Sequence, residues 1–170
     1  DIYPNYATTP EPVNNACIAP TSITVQDNSC QFDDGSWTTL NYGEATRSYR
    51  NTESGCGNNC GDTWYTFDMP PLDPGCPGDV SYVKIEGKDA SGLFGISESD
   101  LTVVAWRGSD CNSLTYIDCS VSSQEDIGGG ILSNSTEVDY SIAGQPGEQI
   151  WLQVYSNKGN DYDNDDYELC

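Results

Sequence analysis

Histidine is absent from this 170-residue chain, and six lysines and arginines stand against 27 aspartates and glutamates. Without an imidazole there is no Ser-His-Asp or Cys-His nucleophile and no His-ligated metal hydrolase. The formal charge of −21 repels phosphate backbones and anionic membranes, which argues against nucleic acid as a partner and against membrane insertion. Long apolar runs are lacking too. The most apolar stretch, Leu101-Thr102-Val103-Val104-Ala105-Trp106, falls far short of the ~20 residues that cross a bilayer. No helical periodicity and no internal repeat of fixed period stand out. No secretory leader is visible ahead of Asp1, which reads as a mature start.

Cysteine, by contrast, is plentiful. The eight cysteines are Cys17, Cys30, Cys56, Cys60, Cys76, Cys111, Cys119 and Cys170. An even count, with a single methionine and abundant Asn, Ser, Thr and Gly, reads as disulfides in an oxidising compartment, hence a secreted or cell-surface protein. Zinc is disfavoured: Cys56 and Cys60 are spaced C-x3-C, but no second close pair and no His completes four ligands.

Residues 1–15 hold three prolines and no periodicity, an extended lead-in or linker. The domain is expected over 16–170. Thr21–Val25 alternates as a half-buried strand. Further strands are expected at Trp37–Tyr42, Glu44–Arg50, Asp62–Met69, Asp79–Glu86, Leu101–Trp106, Ser113–Ser120, Glu137–Ile142, Gln149–Tyr155 and Asp166–Cys170. Turn residues separate them: Asp33-Asp34-Gly35, Arg107-Gly108-Ser109-Asp110 and Gly144-Gln145-Pro146-Gly147-Glu148. Prolines 70, 71, 74 and 77 forbid ladder pairing after the strand at 62–69. About ten short strands with regularly spaced turns predict an all-β fold, an antiparallel β-sandwich or jelly roll stapled by disulfides.

The order of motifs then points further. N-N-A-C-I-A-P lies at 14–20 and G-D-T-W-Y-T-F at 61–67. L-T-V-V-A-W-R-G-S-D-C-N-S-L-T-Y-I-D-C spans 101–119, G-Q-P-G-E-Q-I-W-L-Q-V-Y spans 144–155, and D-Y-E-L-C ends the chain. This order resembles β-sandwich modules of secreted and cell-surface Bacteroidetes proteins. Those modules carry a D-x-W-Y-x-F strand, a hairpin bounded by two cysteines and a G-x-x-Y-x-I-x-V strand. They in turn look like distant relatives of jelly-roll modules appended to secreted peptidases. The resemblance covers residues 17–170 and implies a non-catalytic accessory unit for binding or adhesion. Two departures stand out. Ser120-Val121-Ser122-Ser123-Gln124 replaces the acids that often follow the second hairpin cysteine, and Trp106 stands where the pattern has Tyr.

Eight cysteines allow about 105 pairings, and strand order suggests one set. Cys111 and Cys119 bracket a hairpin, Cys60 and Cys76 bracket the strand at 62–69, and Cys17 and Cys170 mark the domain ends. Cys30 is then left for Cys56. Trp64 and Phe67 are the expected core contributions of the stapled strand.

Three kinds of site suggest themselves. Asp161, Asp163, Asp165 and Asp166, in D-Y-D-N-D-D, alternate so that their oxygens can converge on Ca²⁺, and a cation would relieve their repulsion. The plainer reading is a solvated hairpin tip. Trp106, Trp151 and Tyr155 fall on the strand faces opposite Leu101, Val103, Ile150, Leu152 and Val154. Rings so placed either stack on a polysaccharide or glycan, or form core beneath another layer. Finally, Glu44, Glu86 and Glu137 are strand carboxylates that a small jelly-roll glycosidase would need in pairs. The sequence therefore favours a calcium-stabilised module for carbohydrate binding or adhesion. The alternatives are a structural subunit whose partners are other copies or domains of the same surface protein, and the glycosidase.

Overall fold

The structure, a computed structural model, describes residues 13–25, 38–41, 56, 61–72, 78–89, 101–121, 138–156 and 166–169. Every regular element among them is a strand. They are β1 (Thr21–Ser22), β2 (Thr38–Asn41), β3 (Asp62–Asp68), β4 (Ser81–Asp89), β5 (Leu101–Arg107), β6 (Thr115–Val121), β7 (Val138–Gly144), β8 (Gln149–Ser156) and β9 (Asp166–Leu169). The expected strand at 44–50 lies outside the described residues. The nine form two sheets, one ordered β1-β3-β8-β5-β6 and the other β2-β9-β4-β7.

The sequence of each long strand explains its place. β3, β5 and β8 are rich in β-branched and aromatic residues, which suit a pleated surface. They sit side by side at the middle of the five-stranded sheet, with Tyr65 opposite Leu152 and Leu152 opposite Ala105. β4 alternates over its first five residues: Ser81, Val83 and Ile85 are buried, while Tyr82 and Lys84 are exposed, and Glu86 beyond them is buried. That is the pattern of a sheet with one dry and one wet face.

The pairing departs from the expected antiparallel arrangement at one place. β1 runs parallel to β3, with Thr21 opposite Tyr65 and Ser22 opposite Thr66. Ile23 extends the contact through a 2.8 Å bond from its N–H to Thr66 O. The sheets are therefore mixed. β1 pairs over two residues because the chain only grazes the sheet edge before leaving it. Ile23 and Val25 then pack, partly buried, against the core.

That core lies between the two sheets. Tyr65, Phe67, Leu101, Val103, Ala105, Ile150, Leu152 and Val154 come from the five-stranded sheet. Val83, Ile85, Ile142 and Leu169 meet them from the other, and Met69 joins from the end of β3. The fold is thus sandwich-like, with each large apolar side chain contributing on the order of 1.5–3 kcal/mol by burial.

One end of the sandwich is closed by a polar latch. The turn after β7 passes from one sheet to the other through Gly147, whose φ of 74° suits glycine. Met69 N–H donates to Glu148 O at 2.8 Å and Gly147 N–H to Met69 O at 2.9 Å, tying the turn to β3. Arg107, at the end of β5, pairs with the Glu148 carboxylate and donates to Ala143 O at 3.0 Å. Gly144 packs so closely here that a Cβ would meet Met69 Cγ at 2.8 Å.

Candidate functional site

A period of two puts one half of each central strand into the inter-sheet core and the other half on the far face of the five-stranded sheet. On that far face the registers make three rows across β3, β8, β5 and β6. The first is Asp62, Tyr155, Thr102 and Val121. The second is Trp64, Gln153, Val104 and Cys119. The third is Thr66, Trp151, Trp106 and Tyr116. Trp106, Trp151 and Tyr155 therefore do lie opposite the inter-sheet core, as their sequence positions predict.

They are not, however, open to solvent. Trp106 is 4% exposed, Trp151 6%, and Tyr155 and Trp64 are fully buried. Together with Val104, Cys17 and Cys56 they make a second apolar core, with Leu114, Tyr116, Cys111 and Cys119 partly buried against it. As a ready stacking face for a sugar, the trio Trp106, Trp151 and Tyr155 is thus corrected by the structure. A third layer of chain covers these rings, which is why they act as core.

Three pieces of the cover belong to the described residues. Residues 13–20 run along the edge of β3, where Trp64 N–H donates to Asn14 O at 2.9 Å and Asn14 Nδ2 returns a bond to Trp64 O at 3.1 Å. Asn14 sits in the stretch read as lead-in, yet it is buried in the packed body. Cys56 lies over Tyr155, whose hydroxyl donates to Cys56 O at 2.5 Å. The β5–β6 turn supplies the third piece. Trp151 Nε1 donates to Gly108 O at 2.9 Å, and Trp106 meets Tyr116 edge-on with centroids 5.8 Å apart. Within that turn Asp110 accepts from Asn112 N–H at 2.8 Å through its carboxylate. That bond accounts for Asp110 as a turn residue.

Two disulfides fasten the cover, Cys17–Cys111 and Cys56–Cys119. The pairings Cys17–Cys170, Cys30–Cys56 and Cys111–Cys119 are accordingly overturned. Cys119 lies opposite Val104, four residues along β6 from Thr115, and the turn bearing Cys111 is beyond Thr115. Four strand residues span roughly 13 Å, about twice the Cα separation a disulfide bridges. Each hairpin cysteine instead reaches a segment distant in sequence. Cys30, Cys60, Cys76 and Cys170, and hence the Cys60–Cys76 pairing, lie outside the described residues.

The covered face also holds polar groups that the motif reading passed over. Asp62 and Gln153, both fully buried, are joined by a hydrogen bond from Gln153 Nε2 to Asp62 Oδ2. The buried indole N–H of Trp64 has no hydrogen-bond partner among the described residues, a shortfall that typically costs about 1–3 kcal/mol.

The remaining expected sites fare unevenly. Asp161, Asp163 and Asp165 lie outside the described residues, and Asp166 enters only through its backbone, opposite Asn41 in β9. Among the described residues no group of three or more acidic or thiol side chains is placed to hold a metal. Glu86 is buried and paired with Lys84. Glu44 and Glu137 lie outside the described residues. No helix of the described residues is long and apolar enough to cross a membrane.

Comparison with known proteins gives little beyond this. No family model matches the chain, and no curated protein matches it. Among solved structures it is similar to the pre-peptidase C-terminal domain of a collagenase from Bacillus anthracis. The identity is 13% and the TM-score 0.42, over 88% of this chain and 91% of that one. A likeness at this level carries no function across.

Proposed function

We propose that the chain is a non-catalytic extracellular module for carbohydrate binding or adhesion, of jelly-roll type, accessory to a larger secreted or surface protein. The observation that supports this best is where the aromatic surface ends up. The described residues of the central strands of the five-stranded sheet are covered on both faces, whereas Tyr82, Lys84, Ser141 and Ala143 on the outer face of the four-stranded sheet are exposed. There Tyr82, 70% exposed, stands opposite Ala143, with Ser141 opposite the neighbouring Lys84. Small partners leave the ring face free, and the exposed Lys84 and Ser141 beside it supply polar groups for hydroxyls. Two disulfides suit an oxidising exterior, and the absence of histidine suits a module that binds without catalysing.

The test is a polysaccharide pull-down and glycan array with the wild type and Tyr82→Ala. An exposed substitution should alter stability by no more than about 0.5 kcal/mol, whereas binding should fall at least about tenfold, the share of one stacked ring worth on the order of 1.4 kcal/mol. Glycan binding that survives Tyr82→Ala unchanged would exclude this face.

A structural subunit, with further copies as partners, is the second reading. One feature counts against its simplest form. β6 pairs only with β5 among the described residues, and on its free edge Cys119 N–H is taken at 2.8 Å by the Asp118 carboxylate. An occupied donor and an exposed charge blunt an edge against strand addition.

The proposal includes calcium at Asp161, Asp163, Asp165 and Asp166, on the strength of their spacing alone. Added calcium should raise the melting temperature, and Asp163→Ala should remove the rise. A melt indifferent to calcium and to EDTA would rule that site out.

A further inference from the structure

We infer that the protein has two cores with different redox dependence, and that a small dithiol opens the outer one while leaving the inner one closed. The division is visible in composition. The core between the sheets contains no cysteine among its described residues and is held by hydrogen-bonded strands. The core on the far face contains Cys17 and Cys56, packs against Cys111 and Cys119, and is closed by the two disulfides these four form.

Both bonds converge on one short segment, 111–119, although their other ends lie 94 and 63 residues away in sequence. Residues 13–20 and Cys56 are therefore straps fastened to a common buckle, the β5–β6 hairpin. Besides the disulfides, hydrogen bonds to the sheet hold them. The strap at 13–20 has the exchange between Asn14 and Trp64, and Cys56 has the hydroxyl of Tyr155 and a 3.7 Å contact to the hydroxyl of Tyr116. The hairpin itself stays in the sheet through its pairing with β5 whatever the state of the sulfurs.

The buckle also gives a reductant its access. Cys111 and Cys119 are partly exposed, whereas Cys17 and Cys56 are buried. A dithiol's thiolate attacks one sulfur of a strap bond, forming a mixed disulfide and releasing the other cysteine as a thiolate. The second thiol of the reagent then closes its own ring disulfide and releases the remaining cysteine. Two electrons pass from the reagent to the protein, two cysteine thiols form with the reagent's two protons, and the reagent leaves oxidised. With both straps free, Trp64 and Tyr155, the rings beneath them, meet water.

Dithiothreitol titration of the intact chain tests this, with alkylation and mass mapping to show which cysteines are reduced. Two reporters are followed together: indole emission for the outer core, and hydrogen exchange of β4 and β7 for the inner one. The expected result is a red-shifted emission and exchange at 13–22 and 61–64 at least tenfold faster once Cys17–Cys111 and Cys56–Cys119 are reduced, while β4 and β7 remain protected. Two paired variants, Cys17→Ala with Cys111→Ala and Cys56→Ala with Cys119→Ala, separate the straps and leave the other cysteines intact. Each should loosen its own strap without dithiol. Loss of both reporters in one step, failure of the paired variants to retain β4 and β7 protection, or unchanged emission after full reduction of both bonds would each overturn the inference.

Discussion

Replacing Trp64 by alanine is expected to destabilise the protein by about 3–5 kcal/mol, the range for deleting a buried aromatic. Trp64 is the largest fully buried side chain described and sits on the second row of the covered face, beside Gln153. Its removal takes away the ring that the strap at 13–20 and Cys56 pack upon. The cavity cannot collapse readily, because the strap is tied to Cys111 at one side and to the backbone of β3 at the other. Nothing is recovered from the indole N–H except relief of a donor without a partner among the described residues, which explains why the loss should fall short of the upper limit. Urea melts of the wild type and Trp64→Ala measure it. A loss below about 1 kcal/mol would mean that the cover carries little of the stability, contrary to the burial.

Leu152→Ala is expected to cost about 2–5 kcal/mol and to act on the opposite face of the same sheet. Leu152 lies in β8 between Tyr65 and Ala105 and points into the inter-sheet core. The two variants thus bracket one sheet from its two sides. Their consequences for the sulfurs should differ: Trp64→Ala should speed reaction of dithiol with Cys17–Cys111, while Leu152→Ala, which touches no disulfide, should not at concentrations where the protein remains folded. Equal acceleration in both would show that the two faces rise and fall as one.

The strands were largely legible because a period of two is a local property. Ile150, Leu152 and Val154 in β8, and Leu101, Val103 and Ala105 in β5, share one face as their spacing predicts. What covers the opposite face is set by contacts far apart in sequence. Asn14 meets Trp64 across 50 residues and Cys17 meets Cys111 across 94, and no local pattern encodes such distances. A signal was nonetheless present. In β3 and β8 large rings stand in the set opposite the inter-sheet core as well, Trp64 beside Tyr65 and Trp151 beside Leu152. A strand wet on one face would alternate with polar residues, as β4 does with Tyr82-Val83-Lys84-Ile85. The disulfide pairing failed on the same ground. Proximity in sequence favours Cys111 with Cys119, but an extended strand carries them apart. Of the candidate site, the strand over Asp79–Glu86 that carries Tyr82 is legible in the sequence, yet the exposure of Tyr82 depends on the small residues that β7 places opposite.

The convergence of both straps on the β5–β6 hairpin imposes an order on biogenesis. A chain emerging from its N-terminus presents Cys17 and Cys56 to an oxidising lumen before Cys111 and Cys119 exist. Nearer sulfurs, Cys30 for the first and Cys60 for the second, arrive sooner and close shorter loops. The native bonds can form only after the hairpin has appeared, so early bridges must be held off or exchanged through thiolate attack. Both native bonds therefore wait on the synthesis of residues 111–119, however early their first cysteines appear.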